Sequence, residues 1–142
     1  MNETHRPRRI GRSIGAVLAG LVATVILSMA TDAALQAFGI FPPVGQRVRN
    51  SLLLLATAYR AIYSVASSLL TARLAPYRPM RHALAGGSVG VVISTVGTVV
   101  TWNGGRAFDP KWYPIAPIGL AMPCAWAGGK LHPMWFPERA EN

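Results

Sequence analysis

Acidic residues are scarce: Glu3, Asp32, Asp109, Glu138 and Glu141 are all that the 142 residues hold. Cysteine is scarcer, with Cys124 alone, so no disulfide can close within the chain. Set in an apolar stretch, that thiol stays protonated and unreactive. Charge of any sign is short. Charged residues make up 13% of the chain, where a soluble domain carries about 25%, too little to cover a water-facing surface. Catalytic signatures are missing too. No serine or threonine sits in a nucleophile elbow, and no glycine-rich loop joins a strand to a helix. His5, His82 and His132 show no ligand spacing with Cys124 or the acids, so neither a metal nor a cofactor is expected. With no nucleophile–base constellation, an enzyme is not expected either.

The net charge is +9 with a pI near 11.1. In a soluble chain such a balance points to nucleic acid. Here the basic residues lie in tails and short loops with little aromatic interleaving, so topology explains them and no nucleic-acid partner is expected.

What is present is length of apolar run. Four stretches reach the roughly 20 residues that a helix needs to cross a bilayer. They cover about residues 13–39, 50–72, 81–102 and 111–129, within one membrane domain over 13–130. Residues 1–12 read as a disordered basic cytoplasmic tail and 131–142 as a short polar one. Phe41-Pro42-Pro43-Val44-Gly45 breaks the first helix, since paired prolines cannot continue one. Ala75-Pro76-Tyr77-Arg78-Pro79 and Asn103-Gly104-Gly105 are turns. Pro123 should kink the fourth helix, and Gly128-Gly129 should end it. The expected fold is all-α: a polytopic membrane protein, an antiparallel four-transmembrane-helix bundle whose partner is the lipid bilayer. Arg8-Arg9, an apolar run and Ser28-Met29-Ala30 imitate a signal peptide. The apolar stretch continues past Ala30 and three spans follow, so a retained helix is expected.

Orientation follows from Lys and Arg. With the N-terminus inside, Arg6, Arg8, Arg9, Arg12, Arg73, Arg78, Arg81, Lys130 and Arg139 are inside, against Arg47, Arg49, Arg106 and Lys111 outside. The bias favours both termini in the cytoplasm.

One basic residue, Arg60, falls within a span. Its guanidinium keeps its proton at any accessible pH, and it costs roughly 2.5–3.5 kcal/mol at the centre of a helix in lipid, so it needs a partner. Asp32 is the one carboxylate in any span. Thr24, Ser28, Asp32 and Gln36 recur every four residues on the first helix. Thr57, Arg60, Ser64, Ser67 and Thr71 share a face of the second. Asp32 lies about 10 Å and Arg60 about 15 Å from the same end, at 1.5 Å per residue, and an arginine can lean along the axis to close that offset. An Asp32–Arg60 ion pair between neighbouring helices is expected, with Tyr59 and Tyr63 supplying further hydrogen bonds. Interhelical attachment is the favoured reading. A proton relay would need a group that gives up its proton near working pH, and a second intramembrane carboxylate to receive it. Gly86, Gly90, Ser94 and Thr98 form a small-residue ridge on the third helix, as do Gly11, Gly15, Ala19 and Ala23 on the first. Packing inside one bundle is favoured for these ridges, with homodimerisation the alternative.

Thr31-Asp32-Ala33-Ala34-Leu35, Phe41-Pro42-Pro43-Val44-Gly45-Gln46, Ala56-Thr57-Ala58-Tyr59-Arg60, Ala72-Arg73-Leu74-Ala75-Pro76, Arg78-Pro79-Met80-Arg81-His82-Ala83-Leu84, Trp112-Tyr113-Pro114 and Trp126-Ala127-Gly128-Gly129 carry a resemblance. Over about residues 13–131 the chain resembles small bacterial four-helix inner-membrane proteins that have no assigned activity. The resemblance implies the topology and no reaction. Small multidrug transporters also have four short spans, but they place a glutamate in the first. This chain has none there, and Asp32 lies toward the opposite end. The expectation is a non-enzymatic integral inner-membrane protein, a scaffold or accessory subunit, alone, as a homo-oligomer or in a larger membrane complex. The alternative is a small oligomeric transporter or channel with Asp32 and Arg60 lining the path.

Overall fold

A computed structural model describes residues 6–43, 45–76, 78–102 and 110–137. Four helices account for nearly all of them: α1 (Arg6–Ala37), α2 (Asn50–Leu74), α3 (Pro79–Thr101) and α4 (Trp112–Trp135). No strand occurs among the described residues. Residues 1–5, Val44, Tyr77, the turn Asn103-Gly104-Gly105 with the loop to Asp109, and residues 138–142 lie outside the described residues.

Three helical segments are long and apolar enough to cross a membrane: Ile10–Ala37, Asn50–Leu74 and Pro79–Thr101. The expected fourth span does not reach that standard. α4 has the length, at 24 residues, but Pro117, Pro123, Pro133 and its aromatic and glycine residues dilute its hydropathy.

Helix ends depart from expectation by two residues or more in five places: α2 runs two residues further, to Leu74, and α3 starts two earlier, at Pro79, which suits a first helical turn. α1 starts by Arg6, inside the stretch read as a tail. Pro7 suits a first helical turn, and nothing from Arg8 to Ala37 stops the helix. It closes two residues early, in a Schellman motif. Gly39 takes φ +71°, its N–H donates to Gln36 O at 3.0 Å, and Ile40 N–H donates to Leu35 O at 2.9 Å. α4 does not end at Gly128-Gly129 but runs six residues further, to Trp135. Both glycines are buried. A Cβ on Gly128 would stand 2.7 Å from Val65 O and 2.8 Å from Leu69 N, and one on Gly129 would stand 2.6 Å from Met80 Sδ. They are contact points where α4 meets α2 and α3, not stop signals.

Each helix reverses the direction of the one before. Around the bundle, however, the order is α1, α2, α4, α3. α2 packs closely on both α1 and α4, α3 packs on α4, and α1 touches α3 least among the neighbours. α2 and α4 are therefore side by side and parallel, although the tight α2–α3 turn joins other partners.

The interior is built of small side chains. Ala16, Ala56, Ala72, Ala83, Cys124 and Ala125 are buried, with Leu53 the one larger apolar residue among them. Large apolar residues point outward instead: Ile26 is 60% exposed and Val100 75%. In water such a surface would be an unstable patch. In lipid it is expected, because close packing of small residues and not exclusion of water holds membrane helices together.

The anticipated ridge on α3 is only part of that packing. A Cβ on Gly86 or Gly90 would meet its nearest neighbour at 3.8 Å, an ordinary contact, and Ser94 faces the same interior space. The tight seam runs through Gly87 instead, whose Cβ would crowd that of Ala125. On α1, Gly11 and Gly15 meet nothing within 4 Å, while Gly20 lies close against Ser67 O and Thr71 of α2.

Candidate functional site

Antiparallel packing of α1 on α2 brings Asp32, five residues from the end of α1, beside Arg60, ten residues into α2. Arg60 Nη2 donates to Asp32 Oδ2 at 2.6 Å. The other carboxylate oxygen accepts from the Tyr59 hydroxyl. Arg60 Nη1 donates to Tyr113 Oη at 2.5 Å, and the guanidinium carbon stands 5.6 Å from the Tyr113 ring centre. Tyr63, one turn from Tyr59, shares a hydrogen bond with Thr31 Oγ1 at 2.8 Å, and the two tyrosine rings are 5.8 Å apart. One fixed cation thus binds side chains of α1 and α4 from its place on α2. The pair is only partly enclosed: the side chains of Arg60 and Asp32 keep 34% and 26% of their exposure. A pair this open retains some screening, which reduces both its desolvation cost and its strength.

Below the pair, the four helices line a half-open cavity of about 290 Å³. Thr24, Ser28, Thr57, Arg60, Ser64 and Ser67 all line it. The two polar stripes therefore face a common space. Asp32 is not part of its wall, and three further members of the sequence-read set stand elsewhere. Gln36 is exposed on the last turn of α1. Tyr59 and Tyr63 turn toward α1 and not into the cavity. Two of the lining hydroxyls are occupied locally: Thr24 donates to Gly20 O at 3.2 Å and Thr57 to Leu53 O at 2.9 Å, each bonding its own helix. Ser67 Oγ and Arg60 Nε are buried without a protein partner.

Tyr113 and Thr31 were missed from sequence. In the sequence, the membrane interface explains a tyrosine at a helix start without further partners. Depth held the signal: Tyr113 opens α4 at the same end of the bundle as Asp32 and Arg60. A further polar tie joins α3 to α4 at that end, where the Thr98 hydroxyl lies 2.7 Å from Pro114 O and 2.8 Å from Ser94 O.

Among the described residues no three of His, Cys, Asp and Glu gather closely enough to hold a metal ion. What the cluster offers chemically is one compensated charge and hydrogen bonding. Comparison of the chain with family models, with curated proteins and with solved structures finds no match.

Proposed function

We propose that the chain is a non-enzymatic integral protein of a bacterial inner membrane, a scaffold or accessory subunit. In this reading it crosses the bilayer four times with both termini in the cytoplasm, and the Asp32–Arg60 pair holds the helices in register. One observation carries the reading: the two ends of a single guanidinium are engaged by different helices, Asp32 of α1 and Tyr113 of α4. A charge used this way organises a bundle. α4 supports a fourth span through its 24 residues and its burial against α2 and α3 at Gly128 and Gly129. The asymmetry of Lys and Arg supports the orientation.

A transporter with both charges in its path is less well supported. Arg60 belongs to the cavity wall, but Asp32 does not. The carboxylate instead has each oxygen engaged by α2 side chains. Exchange of the two charges, Asp32→Arg with Arg60→Asp, should recover much of the detergent stability lost in Asp32→Ala. A solute flux through proteoliposomes that Asp32→Asn abolishes in folded, inserted protein would replace this reading with the transporter. Thiol labelling tests the orientation: Gln46→Cys should react from the periplasm and Arg78→Cys should not.

A further inference from the structure

The cavity goes beyond the role proposed for the ion pair. We propose that it is a binding site for a small, uncharged, lipid-soluble carbonyl compound, whose oxygen accepts a hydrogen bond from the Arg60 guanidinium. Four features of the cavity define that ligand.

Charge comes first. Arg60 is already neutralised by Asp32 at 2.6 Å, so a charged ligand would enter uncompensated and meet the full cost of leaving water. An uncharged one avoids it. Donor chemistry comes second. The Arg60 guanidinium lines the cavity, and its side chain is 34% exposed. It carries five N–H groups, of which Asp32 and Tyr113 take one each, and it can only donate, so it selects an acceptor oxygen. The threonine hydroxyls at positions 24 and 57 already spend their protons on their own helices. Ser64, half-buried one turn along α2 from Arg60 and also lining the cavity, provides a second polar contact about 6 Å away.

The third feature is apolar wall. Val17, Leu21, Val25, Ile93 and Leu120 face the α2 hydroxyls across the cavity, a lining suited to a hydrocarbon body with few polar atoms. The fourth is size and access. A dry engineered cavity of about 150 Å³ takes up benzene, so 290 Å³ fits a two-ring compound. α1 and α3 touch least of the neighbouring helices, and a Cβ on Gly86 or Gly90 of α3 would meet only ordinary contacts. Entry from the bilayer between these helices follows.

α-Tetralone, an uncharged two-ring ketone, is a suitable probe, and tetralin is its counterpart without the carbonyl. Both would be titrated by ligand-observed NMR against the full chain in micelles, with protein-free micelles as reference. The expected result is saturable binding of one α-tetralone per chain, with tetralin about tenfold weaker, as befits one hydrogen bond to a charged donor. Gly90→Leu, which fills the cavity from α3, should remove saturable binding while leaving helix content and thermal midpoint near the parent values. Ser64→Leu fills it from α2 and serves if Gly90→Leu does not fold. Equal binding of ketone and hydrocarbon, or no saturation above protein-free micelles, overturns the proposal and leaves a cavity occupied by water. The ketone-to-hydrocarbon ratio in the unaltered protein decides this without any variant.

Discussion

The two ends of α2 are held in different ways. Toward its start, between Thr57 and Tyr63, it is attached by side chains: Arg60 to Asp32 and Tyr113, Tyr59 to Asp32, and Tyr63 to Thr31. The groups reach across space, and the ion pair stays about a third exposed on the arginine side. Toward its end, between Val65 and Ala72, it is attached by backbone proximity. Gly20 of α1 and Gly128 of α4 lie against it with no room for a Cβ, and Ser67, Thr71 and Ala72 are buried. The contrast teaches how a chain short of acids builds a polar interior. One carboxylate supports one cation at one end, and small residues do the remaining work without any charge at all.

If that division holds, the glycine seam should be the less forgiving half. Gly128→Val places two methyl groups where a lone Cβ already meets Val65 O at 2.7 Å and Leu69 N at 2.8 Å. Backbone atoms cannot swing aside as side chains do, so α4 must move off α2. Overpacking of this kind costs about 1–3 kcal/mol and at times more, and the upper end is expected here. The protein should lose most of its folded yield in mild detergent, read by size-exclusion profile and thermal midpoint. Gly11→Val, at a glycine with nothing within 4 Å, should leave both unchanged. Equal tolerance of the two substitutions would erase the distinction between the ends.

The charged end should respond less. Asp32→Ala strands Arg60 beside Tyr113, with Tyr59 losing its acceptor as well. Removing one partner of a fully buried pair costs about 3–5 kcal/mol. Partial exposure lowers that here, because water and headgroups can approach the guanidinium. A drop of about 1–3 kcal/mol is expected, seen as a lower thermal midpoint with insertion preserved. Lengthening the reach with Asp32→Glu should recover part of it. An Asp32→Ala protein as stable as the parent would show that the pair contributes nothing to holding α1.

How far the sequence carried the description depends on what kind of signal each residue gives. Helix number was legible because a run of apolar residues about 20 long has few other uses. Asp32 and Arg60 were legible because charge within such a run demands a partner, and only one carboxylate was available. Gly128-Gly129 misled because glycine stops a helix in one context and admits a neighbour in another. Only the presence of Val65, Ser68 and Met80 opposite distinguishes the two. Gln36 misled because periodicity assigns a face without saying how far that face stays covered, and Gln36 is exposed on the last turn of α1. Tyr113 was missed because helix order round the bundle is not written in the chain. Nothing local reveals that α4 sits beside α2 and parallel to it.

The finest test separates the α1 and α4 sides of the guanidinium. Tyr113→Phe keeps the ring that stands 5.6 Å from the Arg60 guanidinium carbon and removes only the hydroxyl that accepts from Nη1. The loss should be one hydrogen bond to a charged donor, about 1.5 kcal/mol and at most about 3, tempered by water access at the open side of the pair. Gln36→Ala, on the exposed last turn of α1, supplies the baseline and should change stability by no more than about 0.5 kcal/mol. The informative quantity is the coupling. In a double-mutant cycle of Tyr113→Phe with Asp32→Asn, the two losses should fail to add, since both act through Arg60. Full additivity would mean that α1 and α4 are held independently and that Arg60 is not their common anchor.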